Sequence, residues 1–227
     1  MEKYKVWFIS DLHFHHANIL YFKPKRRNLA GISLEHLQKG DKEECMDIHD
    51  KWLINVWNEQ VGKHDVVYIL GDFCLGNKER TQKILSKLNG KKQLIIGNHD
   101  KSCKGLENYF EWTGQIKEAK FSHDMFPFID PSETFCVEMC HFPMIAWNRK
   151  AHGTVHACGH IHGAHDIMNE DMGALRVDVG LDANLANYQL ISLEKLYSHF
   201  KSIIKDNGCK TFEEYAKFLY EKQGFRD

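Results

Sequence analysis

The chain has 227 residues, 43% hydrophobic and 27% charged, the proportions of a globular protein able to bury one substantial core. With 30 Lys and Arg against 31 Asp and Glu, the formal net charge is -1, which excludes a general positive field for nucleic acid or an anionic membrane. The 7 cysteines include no Cys-x-x-Cys pair and read as reduced thiols. The apolar stretch Val6 to Ile9 is too short for a signal-peptide core, and no run approaches a membrane span, so the cytoplasm is the expected location.

The first predicted strand, Lys5–Ile9, runs into Ser-Asp-Leu-His. A helix follows, opened by Asp41 with Glu44 three residues on as a capping box, with Cys45, Ile48, Trp52 and Val56 along one face. Val66–Leu70 is a second strand, ending in Gly-Asp. A helix over Glu79–Leu88, stopped by Asn89-Gly90, leads to a third, Gln93–Ile96, before Gly-Asn-His-Asp. This strand–helix–strand order predicts parallel neighbours.

Residues Phe121 to Thr134 carry Pro127 and Pro131, show no period and read as a loop or insertion. Strands Phe135–Cys140 and Thr154–Cys158 precede His141 and Gly-His-Ile-His, and a sixth, Leu175–Val179, ends at Gly180. Beyond Leu193, two amphipathic stretches separated by Asp206-Asn207-Gly208 are expected to pack on the outside. With no repeat or linker, residues 1–227 read as one α/β domain, a core to about 193 and a helical extension from about 194.

Histidine is the unusual residue, at 15 copies. Asp11, His13, Asp72, Asn98, His99, His141, His160 and His162 all lie just past predicted strand ends, where open α/β sheets bind ligands. Oxygen and imidazole donors without thiolate suit Mn, Fe, Ni, Co or Zn. They outnumber what one tetrahedral ion takes, which points to two metals sharing a carboxylate.

Asp11-Leu-His13, Gly71-Asp72, Gly97-Asn98-His99-Asp100, His141 and Gly159-His160-Ile161-His162 occur in an order that resembles the calcineurin-like metallophosphoesterase superfamily. Ser10 to Ile19 is similar to the opening of small bacterial, archaeal and phage phosphoesterases, except that His15 stands where those relatives often have Gly. Phe73-Cys74-Leu75 replaces the Asp-Arg-Gly continuation of Ser/Thr protein phosphatases, which argues against that activity.

The resemblance implies a two-sheet α/β/β/α sandwich. It also implies that Asp11, His13 and His162 hold one ion, that Asn98, His141 and His160 hold the other, and that Asp72 bridges them. The two divalent ions, Mn first among them, would support in-line attack of a bridging hydroxide on a phosphate ester. His99 would protonate the leaving oxygen, Asp100 would hold its ring in the right tautomer, and Gly97 would let the backbone turn tightly.

Plainer readings stand beside these. His141 alone fits a half-buried strand end, Cys74 a packed thiol, and Trp147 either a core cap or a stacking surface. His16 is a substrate-binding candidate, and His15 reads as a surface residue. Arg26, with Arg27 after Lys23-Pro24-Lys25, and Arg149 fit either a phosphate clamp or a solvated loop. At most one of His152, His156 and His165 is expected to support the site. The expected partner is a small phosphate ester, phosphodiester, monoester or nucleotide. A nuclease on single-stranded or end-processed nucleic acid is the alternative, a non-catalytic scaffold a more distant one, and no membrane is implied.

Overall fold

The computed structural model describes residues 4–164 and 175–222. Its first half runs β1 (Val6–Ile9), α1 (Ala17–Phe22), α2 (Pro24–Leu29), α3 (Leu34–Lys39), α4 (Lys42–Gln60), β2 (Val66–Ile69), α5 (Lys78–Leu85), β3 (Lys91–Ile95) and β4 (Trp112–Gly114). Then come β5 (Ile116–Ser122), β6 (Thr134–Cys140), β7 (Val155–Cys158), β8 (Arg176–Asp178), β9 (Ile191–Ser192), α6 (Leu193–Asp206) and α7 (Phe212–Lys222).

The strands form two mixed sheets, ordered β4-β3-β2-β1-β9 and β5-β6-β7-β8. In the first, β1 to β4 are parallel and only β9 is antiparallel, Phe8 facing Ile191. In the second, β5 is antiparallel to β6, while β6, β7 and β8 are parallel. The strand-end motifs are therefore delivered together, because parallel strands point their carboxyl ends the same way.

Side-chain alternation along β1 separates two cores. Phe8, with Leu70 and Ile95, packs against Phe135, Val137, Val155 and Val177 of the second sheet, and Leu196 and Phe200 of α6 and Phe212 of α7 join that cluster. Trp7 and Ile9 face the other way, with Leu53 and Trp57 of α4 and Ile84 and Leu85 of α5. The C-terminal helices thus complete the main core, so residues 193 to 222 are part of the packed unit and not an appendage to it. Among the described residues, no helix is long and apolar enough to cross a membrane.

Several local expectations change. Asp41 caps α4 through the Glu43 N–H at 2.8 Å, but Glu44 turns to His36 Nε2 at 3.2 Å, so no reciprocal capping box closes. The buried face of α4 is Cys45, His49, Asp50, Leu53, Val56 and Trp57, rotated from the predicted stripe because the helix buries two polar side chains. The segment expected as an insertion begins in β5, and its Phe121, Phe126 and Ile129 are buried in the main core.

Candidate metal centre

Asp11, His13, Asp72, His160 and His162 all adopt positive φ, between 49° and 74°, a region that costs a non-glycine residue about 1–3 kcal/mol. Such strain persists only where the surroundings over-determine it. Here neighbouring strand ends are cross-tied: the Asp11 N–H donates to the Gly71 carbonyl at 3.1 Å and the His13 N–H to that of Asp72 at 2.9 Å. The His160 N–H in turn donates to Asp11 Oδ2 at 3.0 Å. Gly97 is needed for space, not for a left-handed turn: a Cβ there would lie 2.5 Å from Asp72 Oδ1.

Two donor clusters result, Asp11–His13–His162 and Asp72–His141–His160, each with its ligand-type atoms within 4.8 Å of one another. Tautomers sharpen the fit. His162 Nδ1 lies 2.8 Å from Asp182 Oδ2 and His141 Nδ1 lies 2.7 Å from the Leu70 carbonyl, so each ring donates there and directs its Nε2 lone pair inward. His162 Nε2 lies 3.2 Å from His13 Nε2, and the His141 Nε2 lone pair faces Asn98 Oδ1 at 3.1 Å. An inward lone pair opposite a carbonyl oxygen suits a cation.

Asp72 stands between the clusters. Its Oδ2 is 3.7 Å from His13 Nε2 and its Oδ1 is 3.5 Å from His141 Nε2. Burial, followed by the neighbouring His162 and Arg26, lowers the His13 pKa far below its ordinary value and keeps that imidazole neutral. Burial pushes Asp11 up to about 6, a shift that His162 and His141 oppose and that Asp178 and Asp72 reinforce.

A proton must therefore leave Asp11 when a cation arrives at low pH. Affinity for a divalent ion should fall about tenfold per pH unit below pH 6 and lose the pH dependence that Asp11 imposes above it. Calorimetric titrations in buffers of different ionisation enthalpy should find about one proton released per ion at pH 5 and little at pH 8. Equal release at both would contradict this.

Other expected site residues are placed differently. The Asp100 carboxylate does not orient His99. It accepts the N–H groups of Asp72, Phe73 and Gly97 at 3.1, 2.7 and 2.7 Å, because two tight strand-end turns leave those donors otherwise unpaired. The His99 ring is exposed, 5.8 Å from that of His13. His16 lies beside the centre, its ring 5.3 Å from His13, and burial lowers its pKa. His15 turns away toward α4, where its N–H donates to Asp50 at 2.7 Å. The His15–Glu43–Asp47 group is already countered by Arg80, which pairs with both carboxylates.

Arg26 is no surface clamp. It is fully buried and donates to Asp182 Oδ1 and Oδ2 at 3.0 and 2.6 Å and to the Asp11 and Leu12 carbonyls at 2.8 and 3.0 Å. A basic run can supply a structural cation wherever buried carbonyls and a carboxylate need one. Arg149 is exposed at the start of β7, the end away from His160, where its carbonyl accepts the Thr154 N–H. Trp147 is buried with its Nε1 on the Thr154 carbonyl, and the Cys74 thiol is fully buried. His152 is exposed, His156 is buried, and His165 lies outside the described residues.

Asp182 was missed by the motifs, although the strand-end rule that found the others applies to it, just past β8 and Gly180. Burial favours its neutral form, but the His162 hydrogen bond and the Arg26 charge outweigh that and hold its carboxyl below the ordinary range. Asp182→Asn should weaken metal binding by roughly 10- to 100-fold by releasing His162. It should also destabilise the fold by about 3–5 kcal/mol by leaving Arg26 uncompensated. Metal titration and thermal melts would check both, and wild-type affinity would remove Asp182 from this role.

A mycobacteriophage D29 protein, the product of gene 66, is 29% identical over 197 residues, covering 78% of this chain and 88% of its own. Its counterpart in mycobacteriophage L5 is 27% identical over 226 residues, covering 90% and 98%. An uncharacterised Methanocaldococcus jannaschii protein is 36% identical over 103 residues, 44% of this chain and 49% of its own. A solved structure of an Aquifex aeolicus protein of unknown function shares the fold, with a TM-score of 0.57 at 20% identity over 86% of this chain and 98% of that one. The family model for calcineurin-like phosphoesterases matches residues 4–162, the segment that carries Asp11 through His162, and the chain belongs to that family.

Proposed function

We propose that this protein hydrolyses small phosphate esters using two divalent cations, with Asp11, His13 and His162 holding one, Asn98, His141 and His160 the other, and Asp72 shared. The observation that carries the reading is the division of the Asp72 carboxylate, one oxygen toward His13 and the other toward His141. Bound as a pair, such ions supply a nucleophilic water at neutral pH and polarise the phosphoryl oxygens. Neutral imidazoles and the Asn98 carbonyl limit the negative charge around them, which preserves that Lewis acidity.

The remaining work falls to the chain. His99, exposed beside His13, would give a proton to the departing oxygen. His16, whose ring also lies beside His13, would contact the substrate. Protein loaded with Mn, and in parallel with Fe, Ni, Co or Zn, should turn over a chromogenic aryl phosphodiester or monoester and lose that activity to a chelator. Absence of turnover with every one of these ions would refute the proposal.

A further inference from the structure

Phe142 is 46% exposed, and its ring lies 4.9 Å from that of His141 and 4.8 Å from that of His160. Among the described residues, the other strongly exposed aromatics are Tyr4, whose ring meets Phe126 edge-on, and Phe22. The planes of Phe142 and its two neighbours cross at 74° and 65°, so neither histidine lies flat against it. Apolar ring surface is thus left exposed beside two of the proposed ligands.

The loop that carries the ring is tied down by a buried histidine. His156, fully buried, donates from Nδ1 to the Glu138 carbonyl at 3.0 Å and accepts the Met144 N–H at Nε2, 3.1 Å away. This pins the backbone two residues beyond Phe142, which lowers the ordering cost of the loop on binding.

We infer that Phe142 is a specificity-determining residue, a stacking platform for a nucleobase carried by the phosphate ester. The inference rests on the hydrolase reading above for the chemistry, but adds the substrate class. An open aromatic face discriminates flat rings from aliphatic groups and is tolerant of base identity, because every base has a π-face. The enzyme should therefore favour base-bearing esters while selecting weakly among bases.

Two substrates with the same leaving group isolate the effect: thymidine 5′-(4-nitrophenyl phosphate) and methyl 4-nitrophenyl phosphate. In wild type the nucleoside substrate should have the higher kcat/KM. Phe142→Ala should reduce the ratio of the two kcat/KM values by roughly 10- to 100-fold, whereas Phe142→Trp should preserve or raise it. A ratio that Phe142→Ala leaves intact, whether both values fall together or neither does, would overturn the assignment.

Calorimetric titration of the Mn-loaded protein with thymidine 5′-monophosphate and with inorganic phosphate gives a readout independent of turnover. Phe142→Ala should erase most of the nucleotide's advantage over phosphate, and an unaltered advantage would overturn the assignment. If no ester is hydrolysed, the hydrolase reading fails while this affinity ratio still decides the role of Phe142. A 5′-phosphorylated oligothymidylate separates the sources of the base. Tighter binding than the mononucleotide places the site on a strand end, equal binding places it on a free nucleotide, and both require the same loss in Phe142→Ala.

Discussion

Asp72→Asn should release both cations together. Asparagine keeps the shape of the side chain and its Oδ1, which accepts the His99 N–H at 2.9 Å, so the tight packing against Gly97 and the strand-end turns survive. What disappears is the negative charge between the two clusters, reached by His13 on one side and His141 on the other. A residue that merely supports a ligand costs roughly 10- to 100-fold in affinity when removed. Loss of a shared charged ligand should exceed that at both positions and bring turnover to background at micromolar metal. Metal analysis after gel filtration, with a thermal melt to verify folding, would check the result. Retention of two tightly bound ions would refute the bridging role.

His99→Asn should behave in the opposite way, losing turnover by about 10²- to 10⁴-fold while keeping its metals. The fold depends on the His99 backbone N–H, not on its exposed ring, so the substitution spares the turn that carries Asn98. The loss should be greater for an alkyl leaving group than for 4-nitrophenolate, which departs readily without a proton. Steady-state kinetics on both esters, paired with metal stoichiometry, distinguish the roles. A parallel loss of metal would move His99 into the ligand set.

The strand ends were legible because buried parallel strands read as apolar runs, and a polar residue placed immediately after one has few roles open to it. That is why β1, β2, β3, β6, β7 and β8 could be read together with the residues past their ends. Strands β4 and β5 were not legible: Ile-Lys-Glu-Ala-Lys-Phe-Ser is mostly half-buried and carries Lys117, Glu118 and Lys120, so no apolar run marks it. Three six-residue helices after β1 were missed for a related reason, since so short a segment cannot display a helical period.

Residue type proved a weaker guide than position. Asp100 and Arg26 both lie next to the centre, but their charges are spent on backbone groups and on Asp182, an assignment that depends on which donors the turns leave unpaired. Sequence order does not record that inventory. The left-handed conformations of Asp11, His13, Asp72, His160 and His162 were equally hidden, because no glycine advertises them.

On the proposed mechanism one carboxylate, Asp72, couples the two cations. Electron paramagnetic resonance of the protein loaded with two equivalents of Mn tests it most directly. An exchange-coupled dinuclear spectrum, collapsing in Asp72→Asn, is the predicted result, and isolated six-line signals from two independent ions in the wild-type protein would contradict it.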